Sequence, residues 1–443
     1  MTIRVRVVLL ALVASIALAA APAAADQTYI LTAAKWGKAQ TDAVVAAGGV
    51  VTFSHEAAGV AIATSSDPDF LARVLSSKKM RSGAQDEVVQ LPVGPTVDFD
   101  ATSITPGNEP FFGPYQWAPG AVSAPAAWAV GCTGYGVRVA ILDGGLYNLH
   151  PDLAPNVDRA RSTSFVPGFP YNQDTGTFWH GTHVAGIVAA ADNNLGVIGI
   201  APEATLIGVK VLHDGSGSYG QVIQGILYAA TPIAAGGAGA DIINMSLGGY
   251  WLKAGGHNTL FAAVNQAVTY AASLGVLVVS AAGNDSVDLD HAGPYVFMPG
   301  ENANGLMVSA TGPVGFAYGA TNFRRSASYT NYGNSAITVA APGGDFAYPG
   351  NEACTVAGFT TACWVFDMVL STSRVSWTWA AGTSMAAPVV SAIAALAIQS
   401  HPGISLGALK TLIQRSADDE GEKGHDPFYG HGFVNAYKAC TAK

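Results

Sequence analysis

Three segments of the sequence each place a reactive side chain where an apolar run meets a turn or a predicted helix start. Asp143 follows an apolar run and precedes two glycines, His180 opens the segment His-Gly-Thr-His, and Ser384 lies within Gly-Thr-Ser-Met-Ala. Serine is a weak nucleophile that needs an imidazole to take its proton, and the imidazole needs a carboxylate to fix its tautomer. The residue types therefore predict acyl-transfer chemistry at Ser384.

Each of these residues alone has a simpler structural interpretation. Asp143 alone would more often be a helix cap or a turn residue, and Ser384 alone would more often be the N-cap of a helix. His180 and His183 could form a metal pair, but their segment lacks the i,i+4 spacing and adjacent glutamate of a zinc helix. The joint occurrence of all three segments, in order within one chain, favours the catalytic interpretation.

The elements that must position these side chains alternate between strands and helices from Trp117 onwards. Continuous apolar runs are typical of parallel strands that are covered on both faces. The predicted strands are 137–142, 205–212, 242–246, 276–280, 306–310 and 337–340, and the predicted helices are 183–191, 219–230, 259–274 and 384–400. This alternation predicts a doubly wound, mostly parallel α/β sheet, whose sites gather at the carboxyl ends of the strands.

Three segments precede this domain. Residues 1–25 carry Arg4 and Arg6, an apolar run and a small-residue motif, which together predict a secretory signal peptide. The run is shorter than the roughly 20 residues of a membrane span. Residues 26–91 predict a small α+β unit, and the Pro- and Gly-rich residues 92–116 predict an exposed linker.

The charge and the apolar pattern of the chain limit the kinds of partner that it can bind. The net charge of -9, without a basic stripe, argues against nucleic-acid binding. No apolar run after the signal segment reaches spanning length, so we expect a mature protein without a membrane anchor, acting as a monomer. The sequence indicates no organic cofactor.

The four cysteines predict two disulfides in an exported chain. Three pairings are possible. The short separation of Cys354 and Cys363 favours a local loop between them, which leaves Cys132 to pair with Cys440.

Taken together, these segments resemble a subtilisin-like (subtilase) serine peptidase precursor. The resemblance extends to residues 430–436, which are similar to the closing strand and helix of the family. It implies a secreted serine endopeptidase with the triad Asp143, His180 and Ser384 in residues 117–443. It also implies that residues 26–91 are an inhibitory propeptide, removed by cleavage in the linker 92–116. A catalytically silent peptide-binding homologue is the alternative.

Further site positions follow from the resemblance. Asn284 matches the asparagine of the oxyanion hole, where its amide would act beside the backbone N–H of Ser384. Two segments match the strand edges that bind an extended polypeptide substrate. They comprise Gly215, Ser216, Gly217 and Tyr219 on one edge, and Ser246, Leu247, Gly248 and Gly249 on the other.

The resemblance also implies a structural Ca²⁺ site. Side-chain oxygens of Asp152 and Asn193 would bind the ion, with Gln116 nearby. The remaining oxygen ligands would be main-chain carbonyls, those of Ala191, Leu195 and Val197.

The sequence departs from the family at two positions. Gly144 follows the aspartate where the family has a hydroxyl residue, so a usual support of the carboxylate is missing. Thr338 stands where an acid of a weaker cation site would be, so we expect no second site. In addition, the resemblance places Phe297 near the floor of the main specificity pocket.

Overall fold

The computed structural model describes residues 25–91, 94–99, 112–174, 179–253, 257–302, 304–347 and 351–442. The predicted signal peptide, except Ala25, lies outside the described residues.

The N-terminal unit is an antiparallel sheet of four strands in the order β2-β3-β1-β4, with two helices. Alternate residues of β1 face opposite sides, as the strand period requires. Tyr29 and Leu31 pack beneath the unit's own helices, whereas Ile30 packs against the larger domain. The elements are β1 (Gln27–Thr32), α1 (Lys38–Ala46), β2 (Val50–His55), β3 (Val60–Ser65), α2 (Phe70–Ser76), β4 (Ser82–Gln85) and β5 (Val88–Gln90).

The second part of the chain is an α/β domain, as predicted. Its elements in chain order are β6 (Thr96–Phe99), α3 (Phe112–Tyr115), α4 (Ala118–Ala121), α5 (Ala124–Ala129), β7 (Arg138–Asp143), β8 (Thr163–Ser164), α6 (His180–Ala189), β9 (Thr205–Lys210), β10 (Leu212–His213), β11 (Ser216–Ser218), α7 (Tyr219–Ala230), β12 (Ile242–Met245), β13 (Gly249–Leu252), α8 (His257–Ser273), β14 (Leu277–Ala281), β15 (Tyr295–Met298), β16 (Leu306–Thr311), β17 (Val339–Pro342), β18 (Ala353–Val356), β19 (Phe359–Ala362), β20 (Val369–Thr372), β21 (Trp377–Ala380), α9 (Thr383–Ser400), α10 (Leu406–Ser416) and α11 (Ala436–Thr441).

A parallel sheet of seven strands, in the order β17-β16-β14-β12-β7-β9-β8, forms the centre of this domain. Its two faces are covered by different helices. Val139 and Ile141 of β7 face the core that contains α6 and α9, whereas Ala140 and Leu142 face the core that contains α7 and α8. This double coverage explains why the strands are continuously apolar.

Helix α9 lies inside the fold. Among the described residues it is the one helix long and apolar enough to cross a membrane, and 83% of its apolar window is buried within the structure. Its apolar character is therefore that of a core helix that packs between the sheet and its neighbours.

The N-terminal unit docks on α7 and α8 and continues along the larger domain. Ile30 and Ile62 share a core with residues of both helices. The Gln266 side chain of α8 donates to Ala33 O at 2.9 Å. The last strand of the unit, β5, pairs with β11. The segment predicted as linker contains one further strand, β6, which pairs with β21.

Both predicted disulfides are present. Cys354 pairs with Cys363 across the β18–β19 hairpin, with 4.8 Å between their Cα atoms. Cys132 pairs with Cys440, with 6.5 Å between Cα atoms, and joins the region before β7 to helix α11. The second bond ties the start of the α/β domain to its end.

Candidate active site

The residues predicted to form a triad lie buried at the carboxyl edge of the parallel sheet. Asp143 ends β7, His180 begins α6, and Ser384 lies in the first turn of α9. His180 Nδ1 is 2.9 Å from Asp143 Oδ2 and 3.0 Å from Oδ1. The carboxylate therefore holds the imidazole with its Nδ1–H toward Asp143, which leaves Nε2 as the basic nitrogen.

The close approach of α6 to β7 depends on a residue without a side chain. A Cβ on Gly181 would lie 2.9 Å from the Cβ of Asp143, closer than two such atoms can approach. Glycine directly after His180 lets the helix begin against the end of the strand. The sequence His-Gly-Thr-His thus sets the distance between the imidazole and the carboxylate.

The nucleophile position is held by a buried network between β12 and α9. Ser384 Oγ donates to the carbonyl of Ser246 at 3.2 Å, and Ser246 Oγ donates to the carbonyl of Ser384 at 2.7 Å. Behind them, Asn244 Nδ2 donates to Ser246 Oγ at 3.0 Å, and Ser391 Oγ donates to Asn244 Oδ1 at 2.8 Å. Because β12 neighbours β7, this network places Ser384 beside the strand that ends in Asp143.

Asn284 is oriented by the residue before the serine. Its Oδ1 accepts hydrogen bonds from the backbone N–H and the hydroxyl of Thr383, at 2.9 and 2.8 Å. A Cβ built on Gly382 would lie 3.3 Å from Asn284 Nδ2 and 3.6 Å from Ser384 N. The two predicted oxyanion donors, Asn284 Nδ2 and Ser384 N, therefore lie close to the same point beside Gly382, where the absence of a side chain leaves space.

The first predicted substrate edge carries a segment of the chain itself. Strand β5 pairs antiparallel with β11, with Val89 opposite Gly217 and Gln90 opposite Ser216. The next residue, Leu91, donates its N–H to Gly215 O at 2.7 Å. An extended peptide strand thus lies along the edge that the sequence predicts for substrate.

Tyr219, which the sequence assigns to the same edge, is fully buried. Its ring packs against Trp251 with 3.8 Å between ring centroids, and burial raises the pKa of its hydroxyl. With β5 in place, Tyr219 therefore lies behind the edge.

The second predicted edge follows β12, and an aromatic ring fills the space beside it. Ser246 and Leu247 are buried, and Gly249 begins β13. A Cβ on Gly248 would lie 2.6 Å from the Phe297 ring, and a Cβ on Gly283 would lie 2.9 Å from it. Phe297 is 2% exposed. Its ring therefore closes the space between this edge and the residue that precedes Asn284.

The acidic residues after Asn284 mostly hold their own loop. Asp288 accepts a hydrogen bond from the His291 ring at 2.7 Å. Asp290 accepts bonds from the backbone N–H groups of Asn334 and Ser335, at 2.6 and 3.1 Å. Asp285 Oδ2 accepts the hydroxyl hydrogen of Tyr250 at 3.0 Å.

Two buried charged residues near the triad were not predicted. Lys210 ends β9 and donates to the carbonyls of Gly144 and Gln173. Burial lowers its pKa, while the negative charges of Asp174 and Asp143 oppose that effect. Asp174 is buried as well, and burial followed by repulsion from Asp143 raises its pKa. A lysine inside an apolar strand was the sequence signal for this cluster.

The residues expected to bind calcium lie around one loop. Asp152 is buried, and its Oδ2 accepts hydrogen bonds from Val197 N at 3.1 Å and from Trp377 Nε1 at 2.8 Å. Gln116 contacts the same loop through Ile198 N, at 2.9 Å, and Asn193 Nδ2 donates to Pro151 O at 3.2 Å. Ala191 N bonds to Asp152 O at 2.7 Å.

His183 has a structural partner. Its Nε2 lies 2.8 Å from Thr378 O in β21, and burial lowers its pKa to about 3. A neutral imidazole therefore donates to this carbonyl and ties α6 to β21. In the part of the chain that the structure describes, no three His, Cys, Asp or Glu side chains gather as a metal site.

Comparison with known proteins agrees with this geometry. The sequence profile of the subtilase family matches residues 134–432. The chain is 35% identical to M-protease of Shouchella clausii (strain KSM-K16) over 360 residues, covering 80% of this chain and 77% of the relative. It is 36% identical to Subtilisin Savinase of Lederbergia lenta over 326 residues, covering 73% and 97%. The chain belongs to the subtilase family.

As a subtilase, the protein is a subtilisin-like serine endopeptidase. Its fold is similar to that of an epidermin leader peptide processing serine protease from Staphylococcus aureus, with a TM-score of 0.73, 22% identity and coverage of 94% and 98% of the two chains. The structural similarity extends over most of the chain.

Proposed function

We propose that this subtilase hydrolyses peptide bonds of extended polypeptides through a triad of Asp143, His180 and Ser384. The observation that carries the proposal is the buried pairing of His180 with Asp143 at the end of β7, next to β12, after which Ser246 bonds to Ser384. A carboxylate-oriented imidazole beside a serine is the arrangement that nucleophilic acyl transfer needs.

Each residue has one step. Ser384 Oγ attacks the substrate carbonyl carbon while His180 Nε2 accepts the hydroxyl proton. Asp143 stabilises the imidazolium, and Asn284 Nδ2 with Ser384 N–H binds the oxyanion. His180 then protonates the leaving amine, so that the peptide bond breaks and an acyl-enzyme remains. Water, deprotonated by His180, attacks the ester carbonyl and releases the carboxylate product and Ser384.

The test is covalent labelling of the mature enzyme with an organophosphate reagent. We expect one modified residue, Ser384, and loss of peptide hydrolysis in proportion to labelling. Ser384→Ala should abolish both, whereas Ser400→Ala, at the other end of α9, should keep both. Labelling elsewhere, or hydrolysis by the Ser384→Ala variant, would contradict the assigned nucleophile.

The substrate side chain next to the reacting carbonyl should be small. Phe297 fills the space between Gly248, on the segment after β12, and Gly283, which directly precedes Asn284. A large side chain entering that space would have to displace a buried ring. The proposal is therefore a preference for alanine, glycine or serine on the amino side of the cleaved bond.

Residues 26–91 act as an intramolecular inhibitor until the chain is cut. Support comes from β5, whose pairing with β11 covers a substrate edge. At the start of α7, Asp86 accepts a hydrogen bond from Gly220 N at 3.1 Å, and at the start of α8 the His257 Nδ1 atom lies 3.1 Å from Glu87 Oε1. Cleavage in the linker 92–116 then releases the unit. In a Ser384→Ala precursor this cleavage should stop if the enzyme processes itself.

Export is the proposed destination. Residues 1–25 have the charge and apolar pattern of a secretory signal. The two disulfides fit an oxidising environment outside the cytoplasm. N-terminal sequencing of the precursor from the culture medium would test this, since an intracellular protein with Met1 intact contradicts it.

Calcium is the proposed structural ion. The loop brings together oxygen donors, which Ca²⁺ prefers: side chains of Asp152, Asn193 and Gln116, and carbonyls of the 191–197 loop. The indole N–H of Trp377 also bonds to Asp152, but a carboxylate has four lone-pair sites and can accept this bond while binding a cation. The ion would lock the loop and contribute to stability.

A further inference from the structure

Strand β21 has an outer edge that carries a second segment of the chain itself. On one side it pairs with β20, and on the other it pairs antiparallel with β6. The register places Thr96 opposite Ala380, Val97 opposite Trp379, and Asp98 opposite Thr378. Upstream of this strand, Gly94 approaches Ala381 O so closely that a Cβ there would clash. An extended polypeptide is thus accommodated along this edge from Gly94 onwards.

This edge leads directly to the nucleophile. Ala380 ends β21, and Ser384 follows in the first turn of α9. Residues up to Leu91 follow the edge at Gly215 to Ser218, and residues from Gly94 follow the edge of β21. The edge at Gly215 to Ser218 therefore holds the chain up to Leu91, and the edge of β21 holds the chain from Gly94 onwards.

Side chains add selectivity to the main-chain pairing. Thr378 Oγ1 donates to Asp98 Oδ1 at 2.7 Å. Val97 packs against the apolar core of the α/β domain that includes the buried Trp379. An apolar residue followed by an acidic one therefore matches this edge.

The edge is held rigidly from behind. His183 donates to Thr378 O at 2.8 Å, and Trp377 Nε1 donates to Asp152 at 2.8 Å. Both partners are buried in the α/β domain. A preformed edge binds an extended peptide without first being ordered itself.

We propose that the outer edge of β21 binds the part of a polypeptide substrate that lies C-terminal to the cleaved bond, as far as the positions now held by Thr96 to Phe99. The partner is an extended chain with an apolar residue opposite Trp379 and an acidic residue opposite Thr378. In the precursor, β6 occupies this site. The inference rests on the proposed peptidase function and adds a binding surface to it.

Matched peptides test the proposal on the mature enzyme. Each peptide begins with a sequence that the enzyme cleaves. After the cleaved bond come a spacer of zero, one or two residues and then Gly-Pro. The longer member of each pair continues with Thr-Val-Asp-Phe, the sequence of residues 96–99. For at least one spacing we expect about tenfold higher kcat/KM for the longer peptide, since a few added hydrogen bonds and one apolar contact have about this effect.

Controls separate the edge from peptide length alone. Replacing the peptide's aspartate by alanine, or Thr378→Val in the enzyme, should lower the long-to-short ratio about threefold, and combining both changes should lower it little further. N-methylation of the peptide's valine and aspartate nitrogens should abolish the gain, because it blocks strand pairing. A scrambled extension controls for length.

The enzyme's own β6 could mask the gain by remaining bound. The measurement is therefore repeated with residues 96–99 of the enzyme replaced by Gly-Ser-Gly-Ser, which should give an equal or larger gain. Equal kcat/KM for long and short peptides at all three spacings, in both enzymes, would overturn the inference. Failure to cleave any peptide would instead contradict the proposed function.

Discussion

The backbone N–H of Gly144 donates to Oδ1 of Asp143 at 2.7 Å. The sequence suggested that glycine at this position leaves the carboxylate without a usual hydroxyl partner. The main chain of the same residue provides a hydrogen bond instead. Gly144 is held in turn by Lys210, which donates to its carbonyl. The Asp143 carboxylate is thus stabilised by a main-chain hydrogen bond rather than by a side-chain hydroxyl.

The first prediction concerns this carboxylate. Asp143→Asn should lower kcat by about 10⁴-fold, because an amide at this position favours the wrong imidazole tautomer. KM should change little. Asp158→Asn, an acid on the loop after β7 that pairs with Arg161, is the matched control and should keep its activity. A loss of less than tenfold for Asp143→Asn would contradict the role of Asp143.

The second prediction concerns the oxyanion donors. Asn284→Leu should lower kcat by about 10² to 10³-fold with little change in KM, since the lost bond forms mainly in the transition state. Thr383→Val should give a smaller loss of kcat, because it removes the hydroxyl that orients Asn284 but keeps the backbone N–H. A rise in KM alone in either variant would place the interaction in substrate binding.

The third prediction concerns specificity. Phe297→Ala should raise kcat/KM for substrates with leucine or phenylalanine before the cleaved bond, relative to alanine, by at least about tenfold, because it opens a space for an apolar side chain. Removing a buried ring costs about 3–5 kcal/mol of stability, so the thermal midpoint is measured alongside and Phe297→Leu provides a milder change. Phe359→Ala, in a different part of the core, should leave the ratio unchanged. An unaltered preference in both Phe297 variants would exclude the ring as the pocket floor.

The fourth prediction concerns calcium. In the Ser384→Ala variant, which cannot digest itself, a chelator should lower the thermal midpoint by several degrees, and excess Ca²⁺ should restore it. Asp152→Asn should abolish this dependence, whereas Asp192→Asn, an exposed acid of the same loop, should keep it. If the midpoint is the same with chelator and with calcium, the loop is stable without the ion.

The fifth prediction concerns the pH dependence of propeptide docking. His55 lies at the interface: its ring packs on Tyr270 at 4.4 Å, its Nε2 lies 3.3 Å from Thr231 Oγ1, and its Nδ1 accepts the Ala58 N–H at 3.1 Å. Burial lowers its pKa below 6.5. Because the docked state disfavours the proton, the full stability is present above about pH 6.5 and declines as the pH falls toward the lowered pKa.

Hydrogen exchange of β5 in the Ser384→Ala precursor measures this effect. Protection, corrected for intrinsic exchange rates, should fall between pH 7.5 and 5.5. His55→Phe keeps the ring contact with Tyr270 but cannot titrate, so it should reduce the fall. Asp86 and the His257–Glu87 pair also lie at this interface, and this variant leaves all three residues unchanged. Burial raises the pKa of Asp86, so its protonation favours docking as the pH falls and opposes the effect of His55. An identical fall in both proteins would contradict the role of His55.

The sequence predicted the elements with strong periodicity well. Helix α7 has the predicted bounds, and the six apolar runs are strands of the parallel sheet. The burial of these strands on both faces could be predicted because each of them is a continuous apolar run. Predicted ends differ by a few residues, as for α6, which begins at His180 rather than His183, directly after Trp179 in the left-handed backbone region.

Contacts between segments that are distant in the sequence were harder to predict. Strand β6 lies in a Pro- and Gly-rich segment and exists because β21 offers it an edge, a tertiary cause without a local signal. Likewise, the Phe297 ring reaches Gly248 and Gly283 only through the pairing of β13 with β15. The three motifs of the proposed triad are local and could be recognised in the sequence, whereas the surfaces that we propose select the substrate are built from distant segments.

Strands β5 and β6 come from the same stretch of chain, and a cut between them affects the two edges unequally. Before the cut, both strands are tethered to the sites they cover. Afterwards β5 belongs to a separate molecule and its occupancy falls on dilution, whereas β6 remains in the same chain as α3 and its effective concentration does not depend on dilution. Under the proposed function, the edge that binds the residues before the cleaved bond is therefore cleared by dissociation, whereas the edge that binds the residues after it stays in competition with β6 of the same chain.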